Sequence, residues 1–186
     1  MRVNSFQSHV INILFTVLLF PFFIISIIVI SGTLLIINKN LSIFFTQIRL
    51  GKSGNPFLIF KFKTLENGEY SNQFSKFLRK SGLDETPQLY NILKGDMHVF
   101  GPRPKLLQEI PEEQYNEYND IVLVRYPGLF SLFMSQIGPG ESLCKQQNIT
   151  NLLKYEKYEQ RNWSLKLVFI IFFRCLKKSA MNCLNG

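Results

Sequence analysis

The stretch "VINILFTVLLFPFFIISIIVISGTLLII", residues 10–37, decides the broad architecture of this 186-residue chain. A straight helix over it would be about 42 Å long, whereas the hydrocarbon core of a bilayer is about 30 Å thick. Pro21 removes one helical hydrogen bond and favours a kink, which would leave arms of about 17 and 24 Å. A cleaved signal peptide is disfavoured by the length of the run and by the lack of a small-residue cleavage site. A tilted spanning helix and a re-entrant helix, with both ends on one side, remain open.

The charge of the chain lies outside this run. Residues 3–38 contain no Asp, Glu, Lys or Arg, so the net charge of +8 belongs to the rest of the chain. Such an excess suits anionic headgroups, phosphate-bearing substrates or nucleic acid. Most of the 18 Phe lie in apolar runs, where burial explains them better than base stacking, and we expect no nucleic-acid partner. Cys144, Cys175 and Cys183 show no metal-type spacing.

A β-hairpin is predicted after the apolar run, because "LSIFFTQIR" and "FLIFKFKT" flank the turn-rich "LGKSGNP". In the second strand Phe60 and Phe62 alternate with Lys61 and Lys63, which places apolar groups on one face and two cations on the other. The cations form either a half-solvated face or a phosphate-binding pair.

Two further segments have helical patterns. "QFSKFLRK", residues 73–80, predicts a short basic amphipathic helix that suits the headgroup layer or packing on a core. "LKLVFIIFFRCLKK", residues 165–178, is too short an apolar stretch to span a bilayer and either packs on the core or enters the interface. We therefore predict an α+β chain with a membrane-inserted segment at 1–38, a domain at 39–178 and a frayed tail at 179–186.

An adjacent acid pair lies in "GLDETPQLYNILKGDM", residues 82–97. Gly82 ends the preceding helix and Pro87 opens the next one, with Asp84 or Thr86 as its cap. Asp84 would then lie near free N–H groups at the positive end of a helix dipole, where phosphate also binds. On a regular helix Asp84 and Glu85 would point about 100° apart, which suggests different roles. The alternative is a capping Asp followed by a Glu that favours the dipole.

The segment "GPRP" presents an arginine. Pro102 and Pro104 restrict the backbone on both sides of Arg103, which holds its guanidinium ready for a bidentate contact with phosphate. Asp96 either ligates a metal or caps a turn, and we favour the turn. Together the cations, the acid pair and the apolar anchor indicate transfer of a phosphate-linked group to a membrane-bound acceptor.

Three stretches resemble, in order and spacing, the bacterial sugar transferases, the monotopic phosphoglycosyl transferases that begin the assembly of capsule, O-antigen and related glycans. They are "FFTQIRLGKSGNPFLIFKFKTL", "GLDETPQLYNILKGDMHVFGPRP" and "YEQRNWSLKL", and the LDE-x-PQL-x-N-x-LKGDM-x-x-x-GPRP block is highly specific. The resemblance implies transfer of a sugar 1-phosphate from a UDP-sugar to undecaprenyl phosphate, with release of UMP and a requirement for Mg²⁺. It also implies a site at the inner (cytoplasmic) membrane with a cytoplasmic catalytic face, and it leaves self-association into a homo-oligomer open.

The resemblance assigns roles to particular residues. Asp84 would be the nucleophile that forms an aspartyl phospho-sugar, and Glu85 would assist the lipid phosphate or, with Asp84, help to hold the metal. Phosphate contacts would come from Arg103 and from Lys61 and Lys63 of the basic strand. Two further arginines, Arg49 and Arg125, would also contact phosphate. The family's membrane helix is re-entrant and broken at a proline, here Pro21.

The chain also departs from the family pattern. Phe20 replaces a Ser that often precedes the proline, and His98 and Val168 stand at positions that are often Ser and Asp. The usual R-P-G-[IL]-T-[GS] reads "RYPGLF", with Arg125 shifted by Tyr126. These departures leave the sugar open and motivate the alternative of a catalytically degenerate, membrane-anchored scaffold for glycan assembly.

Overall fold

The computed structural model describes residues 5–37, 42–137 and 145–184. These residues combine helices with three small sheets, so the α+β class is confirmed. The helices are α1 Ser5–Ile37, α2 Gln73–Ser81, α3 Leu89–Lys94, α4 Tyr115–Tyr118, α5 Leu132–Ile137, α6 Lys145–Asn162 and α7 Leu165–Leu184. The strands are β1 Phe44–Leu50, β2 Pro56–Phe62, β3 Leu65–Glu66, β4 Glu69–Tyr70, β5 His98–Phe100 and β6 Gly128–Phe130.

The predicted β-hairpin is confirmed. β1 and β2 pair antiparallel from Phe44 opposite Phe62 to Leu50 opposite Pro56. The turn between them contains a short 3₁₀ segment at Lys52–Gly54. Two further strand pairings were not predicted from the sequence, because their strands are only two or three residues long. They are the antiparallel pair β3–β4 and the parallel pair β5–β6.

The first helix is continuous through Pro21. α1 is helical from Ser5 to Ile37 with the proline inside it, so the expected break does not divide the helix into separate elements. A proline removes a single helical hydrogen bond, and the helix continues on both sides of it. By length and composition, Phe6–Ile37 is apolar enough to cross a membrane. About half of the side chains of α1 are apolar and exposed, while Phe15, Phe23, Ile30 and Leu34 are buried.

Both ends of α1 contact the rest of the protein. Near its start, Asn12 Oδ1 accepts a hydrogen bond from the backbone N–H of Val99 in β5, and Phe15 packs edge to face on Phe100 with ring centroids 4.8 Å apart. Near its end, side chains from α1, β2 and α2 form a small core of four buried residues, which are Ile30, Leu34, Phe62 and Leu78. The buried stripe of α1 therefore packs on one body along most of its length.

The C-terminal helix packs on the main core. Leu167, Val168, Ile171 and Cys175 on α7 are buried there, which decides between the two predicted positions of this segment. The frayed tail expected from Ser179 is wrong for the described part, because α7 continues to Leu184. The Ser179 hydroxyl donates a hydrogen bond to the carbonyl of Ser81 at the end of α2. This bond ties the last turns of α7 to the segment that carries the acid pair.

Candidate active site

The acid pair lies on a 3₁₀ segment, Leu83–Gln88, between α2 and α3. Gly82 ends α2 in a left-handed conformation with φ of 74°, as predicted. The predicted capping is wrong: Pro87 lies inside the 3₁₀ segment, and α3 begins at Leu89 without a side-chain cap. Thr86 instead donates its hydroxyl to the carbonyl of Leu83 at 2.9 Å. The six residues form a tight turn, so the acids belong to a connection rather than to the start of a long helix.

Asn91 fixes this turn against the hairpin. Its side-chain amide donates to the carbonyl of Leu58 at 2.7 Å and accepts from the N–H of Phe60 at 3.1 Å, so it pairs with β2 as a neighbouring strand would. Asp96 accepts a hydrogen bond from the same amide at 3.3 Å. Asp96 also forms an ion pair with Lys94 at 3.2 Å. Asp96 therefore helps to orient Asn91, and its capping of a turn stays a prediction.

Glu85 binds two cations through one oxygen. Its Oε1 lies 2.5 Å from Nζ of Lys61 and 3.0 Å from Nη2 of Arg103. The side chains of Glu85, Lys61 and Arg103 are 13%, 16% and 26% exposed. Burial alone would raise the pKa of this carboxyl, but Arg103 and Lys61 outweigh it and hold the pKa of Glu85 well below its usual range. Glu85 is consequently an anion at any physiological pH.

Asp84 has the opposite environment. It is 5% exposed, and no hydrogen bond or ion pair reaches its carboxyl from the described residues. Burial, followed by the negative charge of Glu85, raises the pKa of Asp84 to about 6, although Lys61, Arg79 and Arg103 act against this rise. Two adjacent carboxyls thus have different basicity, which is the arrangement expected where one reacts and the other holds charge in place.

Arg103 is positioned by a close approach of two glycines. The N–H of Gly101 donates to the carbonyl of Phe130 at 3.0 Å, and the N–H of Gly128 donates to the carbonyl of Pro102 at 2.9 Å. A Cβ on Gly128 would lie 2.1 Å from the nitrogen of Gly101, so a side chain is excluded there. The backbone around Arg103 is held by β6 as well as by the two flanking prolines.

Arg49 lies beside this cluster. It donates to Glu109 at 3.2 Å and to Gln47 at 2.6 Å. Burial lowers the pKa of Arg49, and the charges of Glu109, Arg103 and Glu85 all act on it. The structure thus brings together four of the predicted residues, Asp84, Glu85, Lys61 and Arg103, with Arg49 in the next layer.

Two of the predicted phosphate ligands make other contacts. Lys63 pairs with Glu66 at 3.9 Å. Arg125 pairs with Glu156 at 3.0 Å and with Glu159 at 2.5 Å, both of which are fully buried. Neither of these ion pairs includes a member of the acid pair.

The glutamates that bind Arg125 were missed in the sequence. A signal was present, because Glu156 and Glu159 follow Ile149, Leu152 and Leu153 at helical spacing on the buried face of α6. Acidic residues on an apolar face indicate a buried cationic partner.

Two of the departures from the family pattern, His98 and Tyr126, are in contact. His98 stacks on Tyr126 with ring centroids 4.4 Å apart, and His9 of α1 lies 4.8 Å from His98. Lys52 lies over the other side of this group, 4.3 Å from the Tyr126 ring centroid. Val168 is a core residue of α7. Cys144 and residues 138–142 of the divergent loop lie outside the described residues.

The acid pair supplies two candidate metal ligands. Within residues 5–37, 42–137 and 145–184, no group of three or more His, Cys, Asp and Glu could hold a metal ion. Asp84 and Glu85 supply two carboxyls, and both ion pairs of Glu85 are made through Oε1. Magnesium sites commonly use one or two carboxylates together with substrate phosphates, so this donor set suits Mg²⁺ only in the presence of a phosphate ligand.

Comparisons with known proteins identify a family. A family model described as "Bacterial sugar transferase" matches residues 3–182. A UDP-glucose:undecaprenyl-phosphate glucose-1-phosphate transferase of Klebsiella pneumoniae is 30% identical over 74% of this chain and 34% of its own length. An uncharacterized sugar transferase, EpsL, of Bacillus subtilis is 32% identical over 73% of this chain and 69% of its own length.

A third relative is the UDP-N-acetylgalactosamine-undecaprenyl-phosphate N-acetylgalactosaminephosphotransferase of Aeromonas hydrophila. It is 27% identical over 94% of this chain and 44% of its own length. The chain spans about a third of the length of the Klebsiella relative and most of the length of EpsL. The names of the relatives contain different sugars, so the comparisons indicate a family and leave the sugar open.

Proposed function

Because the chain belongs to the bacterial sugar transferase family, we propose that it transfers a sugar 1-phosphate from a UDP-sugar to undecaprenyl phosphate and releases UMP. The observation that carries this proposal is the division of the acid pair. Asp84 is buried and has no hydrogen bond or ion pair from the described residues, and Glu85 is held by Lys61 and Arg103. The names of the Klebsiella and Aeromonas relatives both include undecaprenyl phosphate.

Asp84 is the nucleophile of the first step. Its carboxylate attacks the sugar-bearing phosphorus of the UDP-sugar, an oxygen–phosphorus bond forms, and the bond to the leaving UMP breaks. The product is an aspartyl phospho-sugar, an acyl phosphate that retains the energy needed for a second transfer. Burial and the neighbouring Glu85 keep this carboxylate poorly solvated and basic, which favours attack.

Lys61 and Arg103 provide positive charge for the diphosphate. Both lie within 3.0 Å of Glu85 Oε1, and they are held on separate elements, β2 and the GPRP segment. Catalysis of phosphoryl transfer depends mainly on such positioning and charge neutralisation. Phosphate contacts by Lys63, Arg49 and Arg125 stay predictions from the resemblance.

In the second step an oxygen of undecaprenyl phosphate attacks the phosphorus of the aspartyl phospho-sugar. The acyl phosphate bond breaks, Asp84 is released as a carboxylate, and a polyprenyl diphosphate sugar leaves. Glu85, an anion beside two cations, positions the incoming phosphate by sharing those cations with it. As the acyl phosphate bond breaks, a proton on the lipid phosphate can pass to the departing Asp84 carboxylate, because burial raises the pKa of that carboxyl to about 6.

Mg²⁺ belongs to the same proposal. Asp84 and the second oxygen of Glu85 would hold it together with the diphosphate, and the ion would supply charge neutralisation of the phosphate oxygens.

We place the protein at the cytoplasmic membrane with α1 re-entrant and both of its ends on the cytoplasmic side. From Asn12 to Leu34 a helix extends about 33 Å, close to the full thickness of the hydrocarbon core. Asn12 contacts β5 and Leu34 packs with Phe62 and Leu78, so both ends meet the body that carries the acid pair. A helix that crossed the bilayer would hold its ends on opposite sides, and the observed contacts favour the re-entrant arrangement.

The test separates the two steps. Purified protein is incubated with Mg²⁺ and a panel of UDP-sugars without lipid, and intact-protein mass spectrometry and UMP release are measured. We expect one sugar to give a mass increase equal to a sugar phosphate with stoichiometric UMP, and undecaprenyl phosphate to discharge it. Asp84→Asn should reduce UMP release at least about a thousandfold, whereas Asp120→Asn, at an exposed position, should not change it.

The opposite result would support the scaffold alternative. If folded protein releases no UMP with any sugar of a broad panel, in the presence or absence of lipid, the transferase proposal fails. UMP release that persists in Asp84→Asn would retain the reaction but remove the aspartyl intermediate.

A further inference from the structure

An apolar cavity of about 320 Å³ lies next to the acid pair. Phe22 and Phe23 of α1 form one wall, directly after Pro21, and Leu129 and Phe130 of β6 form another. α7 also contributes to the lining, and four of its lining residues share one helical face at positions i, i+3, i+4 and i+7: Leu176, Ser179, Ala180 and Cys183. Neither the family match nor the assigned site residues account for this cavity.

The cavity is lined by both polar and apolar side chains. Glu85 and Thr86 contribute to its wall, and Lys61 and Arg103 contact the Glu85 carboxylate. Most of the other lining side chains are aromatic or aliphatic. The arrangement complements a ligand that has an anionic head and a hydrocarbon tail. A nucleotide sugar would leave its hydroxyl and amide groups without hydrogen bonds among these side chains, which is unfavourable.

We propose that this cavity binds the isoprene units nearest the phosphate of a polyprenyl phosphate acceptor, with the phosphate at the Glu85 end; this inference rests on the proposed function. A volume near the lower limit of ligand pockets, about 300 Å³, admits only the first part of a long chain. The remainder leaves the cavity along the exposed apolar side chains of α1 and α7, which include Phe20 and Phe173.

Two cysteines line the cavity and provide a direct readout. Cys175 is buried, and burial raises the pKa of its thiol to about 12, which makes it unreactive at neutral pH. Cys183 is partly exposed and lies on the same face of α7, two turns later. Cys183 is therefore the thiol of this cavity that reagents can reach, and a bound tail would cover it.

The first experiment measures labelling of Cys183 by N-ethylmaleimide in a Cys144→Ser protein in detergent. We expect undecaprenyl phosphate at about ten times its Kd to slow labelling about tenfold. Inorganic phosphate and phosphatidylglycerol should leave the rate unchanged. Equal labelling with saturating undecaprenyl phosphate would overturn the proposal, and so would equal protection by phosphatidylglycerol, because any acyl chain would then fill the cavity.

The second experiment fills the cavity. Ala180→Phe should raise the KM for undecaprenyl phosphate and leave the UMP burst without lipid unchanged, since the donor step does not use the cavity. Met181→Phe is the matched control, because Met181 is exposed on the next position of α7 and does not line the cavity. An unchanged KM in folded Ala180→Phe would count against the cavity.

The two proposals fail in different ways. Protection of Cys183 does not require turnover, so it can be observed even if no UDP-sugar is a donor. Turnover with undecaprenyl phosphate that is unaffected by alkylation of Cys183 and by Ala180→Phe would leave the transferase intact and remove the cavity as the acceptor site.

Discussion

At the residue scale, Asp84 and Glu85 are neighbours in sequence and differ in every other respect. Asp84 is buried without a hydrogen bond from the described residues, while Glu85 accepts from two cations. The difference depends on β2 and the GPRP segment, which lie 24 and 18 residues away along the chain. Adjacent carboxyls with separate pKa values can serve as nucleophile and as fixed charge in one site.

The pH dependence of the donor step follows from this difference. In the proposed mechanism the Asp84 carboxylate is the attacking group. Its pKa is raised to about 6, so the rate of the UMP burst should fall about tenfold per pH unit below that value. Glu85 stays ionised over this pH range, so it should not cause a second change in the pH dependence of the burst rate. The burst is measured without lipid from pH 5 to pH 8, because a phosphate monoester itself titrates near pH 6. A burst rate that is constant down to pH 5 would contradict the assignment.

The two acids should affect stability with opposite signs. A raised folded-state pKa means that the stability contributed by protonated Asp84 is lost as pH rises through about 6. Asp84→Asn should therefore raise Tm at pH 8 by a few degrees, with a smaller change at pH 5. Glu85 has a lowered pKa, so its carboxylate stabilises the fold above its unfolded pKa, and Glu85→Gln should lower Tm at pH 8. Thermal unfolding monitored by fluorescence distinguishes the two, and a decrease for both variants would contradict the environment described for Asp84.

The case of Arg125 shows the limit of prediction for single residues. The sequence places this arginine beside a proline–glycine turn in a region that resembles a substrate loop. Its partners are 31 and 34 residues later, on the buried face of α6. Glu159 also accepts from the N–H of Leu132 at 3.2 Å, so the same carboxylate holds both ends of the segment between Arg125 and α5. Local pattern cannot reveal which distant carboxylate an arginine will reach.

At the scale of elements, the sequence predicts the hairpin, α2 and the apolar helices, because each has a clear pattern of apolar and polar residues. β5 and β6 were not predicted, since three-residue strands carry almost no periodic signal. Their pairing nevertheless fixes Arg103, because Gly101 and Gly128 bring the two backbones into contact. The positions of such short strands are set by their tertiary partners.

A substitution at this contact tests its importance. Gly128→Ala would place a Cβ 2.1 Å from Gly101 N, so the two strands must separate and Arg103 must move away from Glu85. We expect a Tm lower by several degrees and a large loss of the UMP burst, with the destabilisation of about 1–3 kcal/mol typical of overpacked sites. The matched control is Gly32→Ala in α1, where a Cβ meets nothing within 4 Å. Full activity of Gly128→Ala would show that the close approach is not needed to position Arg103.

At the scale of the whole molecule, composition predicts a membrane-seated α+β chain, and the family motif predicts the acid pair and its cations. The arrangement of α1 on the domain could not be predicted, because a long apolar run looks the same whether it crosses the bilayer or packs on its own domain. The distinguishing features are the buried positions Phe15, Phe23, Ile30 and Leu34. Their neighbours in sequence are equally apolar, so no pattern marks them.

The membrane arrangement can be measured by labelling from each side. In a cysteine-free background, Phe6→Cys and Ile37→Cys should react with a membrane-impermeant maleimide in inside-out vesicles and stay unlabelled in right-side-out vesicles. Both positions are exposed on the protein, so burial does not prevent labelling. Leu18→Cys, in the apolar middle, is the control that should react only after detergent is added. Labelling of positions 6 and 37 from opposite sides would establish a spanning helix instead.

The hydrogen bond from the N–H of Val99 to Asn12 gives α1 a part in the folding of the catalytic region. Asn12 leaves the ribosome long before β5 is made, and β5 lacks this partner on one of its N–H groups until α1 is in place. A version of the protein in which α1 is deleted or exchanged for an unrelated anchor would expose Phe100 and leave that N–H unpaired. The membrane helix is therefore an integral piece of the enzyme's interior, and it cannot be treated as a replaceable tether.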